Sequence, residues 1–208
     1  MAVKSRFVIG RGPMLEVVVD AWTAATPADR IVRIELPQAA DYRFDWSALD
    51  AVGRGAEAFM AFDEIFGNFT RMELFQVGIE RGFQLAPFVS PRAMVAATVK
   101  IGPNTYIGDG VIVGAHSSVE YNCVLRAGAV IGAGVRIKPS CWIAGGVHVG
   151  DGAEIGAHST LREGVFVAAS TKIGRNCELG MPGHYRQDVA PRTVFDPRYD
   201  APIFTYGN

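Results

Sequence analysis

The feature that most constrains the fold is an aliphatic residue at every sixth position from Val95 to Leu179. The series has fifteen members and no insertion: Val95, Ile101, Ile107, Val113, Val119, Leu125, Ile131, Ile137, Ile143, Val149, Ile155, Leu161, Val167, Ile173 and Leu179. A period of six matches neither the α-helix, with its 3.6-residue period, nor a plain strand, with its period of two. It predicts short strands joined by tight corners, with each aliphatic side chain pointing inward.

The residues around each aliphatic position support the same interpretation. Glycine often follows it, and 16 of the 24 glycines lie between positions 95 and 184. Glycine relieves the steric cost of tight corners, and Asn and Asp do so to a lesser degree. The pattern resembles the hexapeptide repeat of the left-handed parallel β-helix, in which three hexads form one triangular coil. The resemblance implies the left-handed coil, and fifteen hexads predict about five coils over residues 89–182.

The composition excludes several classes of function. The chain has 20 basic and 21 acidic residues, which argues against a nucleic-acid groove or a polybasic membrane surface. No apolar run approaches the ~18 residues of a membrane span. The first residues, Met1 to Phe7, lack the long apolar stretch of a secretion signal, so we expect a cytoplasmic protein.

The three cysteines fall on the period of one coil. Cys123 and Cys141 are 18 residues apart, and Cys177 follows 36 residues later. All three are therefore predicted to lie in one interior column as reduced, buried packing residues. A metal site needs ligands that converge, and residues stacked as a ladder do not converge.

Residues 1–88 have a different pattern, which predicts a small α/β domain of Rossmann-like character. The expected elements are a strand at Arg6–Ile9, a turn at Gly10–Pro13, a helix at Met14–Trp22, and strands at Arg30–Leu36 and Ala58–Phe62. Pro13 suits a first helical position.

A second helix is predicted in this domain after residue 69. Thr70–Arg71–Met72–Glu73 reads as a capping box. The helix would place Met72, Phe75 and Ile79 on its buried face and end near Gly82.

The segment Gly10–Arg11–Gly12 allows two interpretations. A dinucleotide fingerprint would have a third glycine at position 15, where this chain has Leu15. One interpretation is a tight strand-to-helix turn without a ligand. The other is a loop that holds the phosphates of a sugar nucleotide at the N-terminus of the following helix.

An α/β head followed by hexapeptide repeats resembles the bacterial sugar O-/N-acyltransferases of the sialic-acid O-acetyltransferase and UDP-amino-sugar N-acetyltransferase type. The resemblance rests on Phe7–Gly12, on Thr70–Phe83 with Pro87–Ala93, and on Val119–Cys123. It implies a homotrimer, with acetyl-CoA in the groove between adjacent β-helices and a nucleotide-sugar against the head. Gly10, Arg11 and Gly12 would then face the phosphates of the nucleotide-sugar.

The chain departs from this family at its catalytic segment. The family has a histidine general base where this chain has Tyr121, although Glu120, Asn122 and Cys123 match around it. A second family histidine, close to the thioester, falls on Val130. Histidine is largely neutral and basic at pH 7, whereas about one tyrosine in a thousand is ionised, and a general base contributes roughly 10²–10⁴-fold to rate.

Three explanations of this departure remain open. Another base could act, the acceptor could be an amine that needs positioning more than deprotonation, or the protein could be a catalytically silent member that binds a nucleotide-sugar or a protein. For the first, His148 lies one coil from Val130, and His116 precedes Tyr121 by five residues. We assign Glu120 an orienting role and expect Tyr121 and Asn122 to line the acceptor site. Backbone amides at Gly145 and Gly146 would approach the thioester carbonyl.

Two further expectations complete the sequence-based account. Some hexapeptide proteins are zinc carbonic anhydrases, but the four histidines here lack a paired spacing, so no metal is expected. Residues 183–208 are rich in aromatics (Tyr185, Phe195, Tyr199, Phe204, Tyr206) and contain three prolines, which excludes a long helix. We expect an irregular tail packed along the β-helix or a neighbouring subunit, and a head that covers one open end of the β-helix.

Overall fold

The structure is a computed structural model that describes residues 4–38, 43–64 and 68–205. Met1 and Tyr206, which entered the sequence-based expectations, lie outside these residues. The described chain has two parts, an α/β head and a left-handed parallel β-helix of hexapeptide repeats.

The head is a four-stranded parallel sheet with two main helices. Its elements are β1 (Ser5–Arg11), α1 (Pro13–Ala25), β2 (Arg30–Glu35), a 3-10 turn (Ser47–Leu49), β3 (Glu57–Phe62), α2 (Phe69–Glu80) and β4 (Gln84–Leu85). The strand order is β2-β1-β3-β4. The predicted strands and the first helix are confirmed, with Pro13 at the first helical position of α1.

The predicted start of α2 is wrong. The helix begins at Phe69, and its N-cap is Asn68, which has a φ of 53° and makes no side-chain cap hydrogen bond. The Asn68 side chain instead donates to Thr160 Oγ1 at 2.9 Å and accepts from Arg71 Nη1 at 3.2 Å. Contacts with the β-helix therefore fix this helix end, and a local capping box does not.

The buried face of α2 is also rotated from the predicted one. Ile79 is 48% exposed, whereas Leu74 and Phe75 are buried. A Cβ at Gly78 would lie 3.2 Å from the Leu85 and Met60 side chains, so Gly78 faces the sheet. Arg71, Leu74, Phe75 and Gly78 form the inner face at helical spacing.

The β-helix strands follow the six-residue period. They are β5 (Phe88–Val89), β6 (Met94–Val95), β7 (Lys100–Ile101), β8 (Tyr106–Ile107), β9 (Ile112–Val113), β10 (Ser118–Val119), β11 (Val124–Leu125), β12 (Val130–Ile131), β13 (Arg136–Ile137), β14 (Trp142–Ile143), β15 (His148–Val149), β16 (Glu154–Ile155), β17 (Thr160–Leu161), β18 (Val165–Val167), β19 (Lys172–Ile173), β20 (Glu178–Leu179), β21 (Gly183–Tyr185), β22 (Thr193–Phe195) and β23 (Ile203–Phe204).

Three sheets form the sides of the prism, and the residues that point outward distinguish them. The head-side sheet holds β5, β8, β11, β14, β17, β20, β22 and β23. The aromatic sheet holds β6, β9, β12, β15, β18 and β21, and the charged sheet holds β7, β10, β13, β16 and β19. Through β21, successive strands within a sheet are 18 residues apart, as Val130 paired with His148 illustrates, whereas β20 and β22 are 16 residues apart.

The repeat continues past the predicted end, which corrects the expectation of an irregular tail. β21 pairs with β18, Val189 bridges to Ile173, and β22 pairs with β20. These contacts complete a sixth coil, whereas about five were predicted. β23 then pairs antiparallel with β22 and covers the edge of the head-side sheet. The repeat is hidden in this sequence because the inward positions of this coil hold Tyr185, Val189 and Phe195, two of them aromatic, and the first two positions are only four residues apart.

The interior of the prism is the predicted aliphatic ladder. Cys123, Cys141 and Cys177 lie inside it, free and buried, as predicted. Each thiol is a donor to the backbone carbonyl of the next coil, as from Cys123 Sγ to Lys138 O at 3.2 Å. These cysteines are therefore packing residues that also satisfy corner carbonyls.

The head packs on a side of the prism, and the expectation that it covers an open end is wrong. Phe88, Tyr106, Val124 and Trp142 point outward from the head-side sheet and share one hydrophobic cluster with α1 and the head sheet. Four apolar residues at 18-residue spacing on an outer face need a cover, because large apolar side chains are stabilised by burial. The head supplies that cover.

Candidate functional site

The corner that carries Glu120 and Tyr121 lies between the charged sheet and the head-side sheet, beneath α2. The Tyr121 ring stacks on Phe75 with centroids 5.2 Å apart and an interplanar angle of 14°. Glu120 Oε1 lies 3.2 Å from Lys138 Nζ, and both side chains are half-exposed. Tyr121 and Glu120 line a shallow groove of about 320 Å³ that also includes Lys100 and Ser118. The structure therefore brings these two predicted residues together at the surface.

Asn122 is placed differently from the sequence-based expectation of a residue that lines the acceptor site. It is 1% exposed, and its φ of 57° is the left-handed conformation that Asn tolerates at a corner. Its Nδ2 donates to Ser140 Oγ at 2.8 Å and to Arg71 O at 3.2 Å, and its Oδ1 accepts from Asn104 Nδ2 at 2.9 Å. The amide is fully engaged in joining α2 to the coils.

Arg71 is a buried cation at this junction that the sequence did not single out. Its Nη2 donates to Asn122 O at 2.7 Å, and its guanidinium lies 5.3 Å from the centre of the Trp142 ring. No carboxylate within the described residues forms an ion pair with it, and burial lowers its pKa to about 10. Arg126 lies 5.8 Å from the same Trp142 ring.

The Gly10–Arg11–Gly12 loop ends β1 at the same junction, and close contacts with neighbouring atoms require glycine at both positions. A Cβ at Gly10 would lie 1.7 Å from Ala61 O on the neighbouring strand. A Cβ at Gly12, whose φ is 77°, would lie 2.2 Å from Asp63 Oδ2. Asp63 Oδ1 accepts the Met14 N–H at 3.1 Å, so a carboxylate already occupies the N-terminus of α1. This arrangement favours the turn without a phosphate at that helix end.

Asp63 is a second residue that the sequence analysis missed. It follows β3 at the carboxyl edge of the head sheet, where parallel sheets commonly place ligand-binding groups. Burial raises its pKa, an effect that the Met14 N–H opposes. Its position after a strand was the signal available in the sequence.

Ion pairs connect this edge of the head to the prism. Arg162 pairs with Glu64, which follows Asp63, and with Glu178 at 2.9 Å. Together with Asn68 and Arg71, these contacts fix the head against three successive coils of the head-side sheet.

The residues expected near the thioester lie on the opposite side of the prism. Val130 and His148 point outward from the aromatic sheet, and Gly145 and Gly146 form the corner that precedes His148. The His148 ring stacks on Phe166 at 4.6 Å, and Phe166 contacts His184 at 4.8 Å. With Met94 and Ile112, these side chains form an exposed column that we name the aromatic stripe (Met94, Ile112, Val130, His148, Phe166, His184).

One protomer does not assemble the predicted catalytic set. The Tyr121 corner faces away from the aromatic sheet, because in a triangular prism each corner is opposite one side. His116 occupies a third corner, exposed and with a φ of 61°, and its N–H donates to Thr98 Oγ1 at 2.9 Å. His158 sits two coils from Asn122 in the same column, and burial and nearby Arg71 lower its pKa.

Within the described residues, no group of three or more His, Cys, Asp or Glu side chains is arranged to hold a metal ion. None of the described helices has the length and apolar character needed to cross a bilayer.

Comparisons with known proteins agree with the repeat and the fold. Residues 128–163 match the family described as bacterial transferase hexapeptide (six repeats). The structure of PerB from Caulobacter crescentus in complex with CoA and GDP-perosamine superimposes with a TM-score of 0.79 at 22% identity, over 93% of this chain and 94% of that one. The chain carries transferase hexapeptide repeats and has the fold of this acetyltransferase.

Other solved structures share the arrangement of head and β-helix. The acetyltransferase domain of PglB from Neisseria gonorrhoeae, in complex with acetyl coenzyme A, matches with a TM-score of 0.65 at 17% identity, covering 97% of this chain and all of that one. WeeI from Acinetobacter baumannii matches with a TM-score of 0.55 at 14% identity, over 96% of this chain. A search of curated protein sequences found no match.

Proposed function

We propose that this protein is an acyl-CoA-dependent acetyltransferase that acts on the amino group of a nucleotide-activated sugar. The observation that carries the proposal is the match to the PerB complex, which spans the head and the β-helix in one superposition. That structure contains CoA and GDP-perosamine, the two kinds of substrate that the proposed reaction uses.

The active unit in this proposal is a homotrimer. Tyr121 and Glu120 lie on one side of the prism, and Val130 and His148 lie on the other, so only neighbouring protomers can bring them together. The aromatic stripe supports this arrangement, since Met94 is 61% exposed and Ile112 36% exposed in the single chain. Large apolar side chains aligned along one face are typical of a protein interface.

Acetyl-CoA would lie between the aromatic sheet of one protomer and the Tyr121 corner of the next. Val130, Gly145 and Gly146 border the acyl end in this placement. Lys138, Lys172 and Arg175 line a groove of about 610 Å³ farther along the same corner. Their positive charges suit the phosphates of CoA, because charge-assisted hydrogen bonds to phosphate are strong.

The missing histidine favours an amine acceptor over a hydroxyl. An amine is nucleophilic once neutral, so the site must mainly hold its nitrogen beside the thioester carbonyl. The nitrogen attacks the carbonyl carbon, the carbon–sulfur bond breaks, and the CoA thiolate leaves. In this proposal Glu120, to which we assign an orienting role, also takes the proton that the nitrogen loses. Tyr121 lines the acceptor site, and His148 and His116 are retained only as alternatives for the base.

The nucleotide part of the acceptor would rest at the carboxyl edge of the head sheet. Arg11 is exposed there at the end of β1, beside the glycine turn. Asp63 is close to this edge and suits the hydroxyl groups of a sugar or ribose. In our proposal Gly10 and Gly12 shape the turn, and Arg11 meets the phosphates.

We place the enzyme in the cytoplasm and assign it no metal. The three free, buried cysteines support a reducing compartment. The chemistry needs only acetyl-CoA as the acyl donor.

The test is a turnover assay with acetyl-CoA and a panel of nucleotide-activated amino sugars and their hydroxyl counterparts. A colorimetric thiol assay measures the release of CoA, and mass spectrometry identifies the product. We expect acetylation of an amino sugar. Tyr121→Ala should lower kcat/KM for the acceptor about 10- to 100-fold while leaving the KM for acetyl-CoA unchanged.

A matched control is Tyr199→Ala, because Tyr199 is 52% exposed on the C-terminal segment. It should keep wild-type kinetics. Binding of acetyl-CoA and sugar nucleotide without any release of CoA would identify a catalytically silent protein instead. Acetylation of hydroxyl sugars alone would contradict the amine proposal.

A further inference from the structure

A groove of about 560 Å³ lies between α1 and the first coils, away from the junction described above. It is bounded by Val17, Asp20, Ala21, Ala24 and Ala25 of α1 and by Phe88, Tyr106 and Asp109 of the β-helix, among others. The groove lies along α1 from Val17 to Ala25, whereas the Gly10–Gly12 loop precedes the first residue of this helix. The volume falls within the ~300–1,000 Å³ of small-molecule sites.

Tyr106 has an unused hydroxyl in this groove. The residue is only 6% exposed, and its ring stacks on Phe88 with centroids 5.3 Å apart. Its hydroxyl makes no hydrogen bond to any residue in the described part of the chain and is not among the buried polar atoms there, so it is exposed to the groove. Burial, together with the nearby Asp109, raises the pKa of Tyr106, so the hydroxyl keeps its proton and can donate it.

The helix wall of the groove is flat and carries one available carboxylate. Ala21, Ala24 and Ala25 have no side chain beyond Cβ, which leaves a smooth surface. Asp20 forms no ion pair within the described residues. Asp109 is already held by Ser90 Oγ at 2.5 Å and by Arg92. The groove thus presents a donor at Tyr106, an acceptor at Asp20 and apolar walls.

We propose that this groove binds the base of a nucleoside, a planar heterocycle with a hydrogen-bond acceptor and a neighbouring N–H donor. The acceptor would meet the Tyr106 hydroxyl, the N–H would meet Asp20, and the ring would lie against the alanines. Arg92 is occupied by Asp109, so no cation is left for a phosphate. Phosphates should therefore add no affinity. This site lies beyond the proposed transferase site and does not depend on it.

The test measures binding of adenosine, guanosine, cytidine and uridine to the full chain by calorimetry. At least one nucleoside should bind, its triphosphate should bind no more tightly, and ribose should not bind. Tyr106→Phe keeps the ring stack and should weaken binding roughly 3- to 10-fold, the contribution of one hydrogen bond. Ala24→Leu places a larger side chain on the exposed helix wall and should abolish binding.

The melting temperature of both variants should stay near that of the wild type, and Tyr199→Phe serves as the matched control. Acetyl-CoA should not displace the nucleoside, because the proposed transferase site holds the CoA phosphates at Lys138, Lys172 and Arg175. Displacement would overturn the proposal of a separate nucleoside site. The proposal is overturned if none of the four nucleosides binds at millimolar concentration. It is equally overturned if Tyr106→Phe and Ala24→Leu bind as the wild type does.

Discussion

Replacing Asn122 by alanine separates a structural role from a catalytic one. The amide makes three hydrogen bonds inside the junction of head and prism, to Ser140, Arg71 and Asn104. Each buried hydrogen bond contributes about 1 kcal/mol to folding. Alanine at a φ of 57° costs a further ~1–2 kcal/mol, because the left-handed region crowds its Cβ.

Asn122→Ala should therefore lower the free energy of unfolding by about 4–5 kcal/mol, a large part of the 5–15 kcal/mol typical of a protein. Asn122→Gly removes the same hydrogen bonds but fits the backbone, so it should lose ~3 kcal/mol. Urea denaturation followed by fluorescence measures both values. The difference between the two variants isolates the backbone contribution.

The contrary result is easy to recognise. If Asn122→Ala unfolds within 1 kcal/mol of the wild type and has lost acetyl transfer, then Asn122 acts on substrate. The hydrogen bonds of Asn122 to Ser140, Arg71 and Asn104 would then contribute little to the stability of this corner.

Three further predictions follow from other parts of the structure. Asp63→Asn should be more stable than the wild type at pH 7, because burial raises the pKa of Asp63 and penalises its charged form. The stability difference between the two proteins should shrink as the pH falls through the raised pKa of Asp63 towards the ordinary value of 3.8. Urea unfolding at several pH values measures this difference, and a difference that does not change with pH would contradict the prediction. Phe166→Glu should convert the proposed trimer to monomers in light-scattering measurements, since it puts a charge in the aromatic stripe, and an unchanged mass would place the interface elsewhere. Tyr121→His should change kcat for an amino sugar at pH 7 by less than about 3-fold, since the acceptor needs positioning more than a base, and a gain of about 10-fold or more in the CoA-release assay would show that a missing base limits the reaction.

The hexad period was sufficient to predict most of the prism, because an inward aliphatic residue repeated every six positions is incompatible with the other regular structures. It placed Cys123, Cys141 and Cys177 in the interior correctly. It stopped too early at Leu179, because the inward residues of the sixth coil are Tyr185, Val189 and Phe195, which depart from both the six-residue spacing and the aliphatic pattern.

Local sequence patterns could not predict the junction between the head and the prism. Asn68 and Arg71 are set by contacts with Thr160 and Asn122, which lie 92 and 51 residues away in the chain. The capping box at Thr70 is a sound local pattern that these distant contacts override. Asp63 was missed because a carboxylate that follows a strand is common and its capping of α1 depends on the packed sheet.

The central claim, an acetyltransferase site shared between two protomers, is tested most directly by mixing two strongly impaired variants. Tyr121→Ala removes the corner of the acceptor site, and Val130→Trp fills the groove on the aromatic sheet. After unfolding and refolding together, random trimers should contain intact sites at about a quarter of their interfaces, because each interface uses one corner and one sheet. We predict that the mixture recovers about a quarter of the wild-type rate of CoA release with an amino-sugar nucleotide. A mixture of folded trimers that stays as inactive as its components would contradict a shared site.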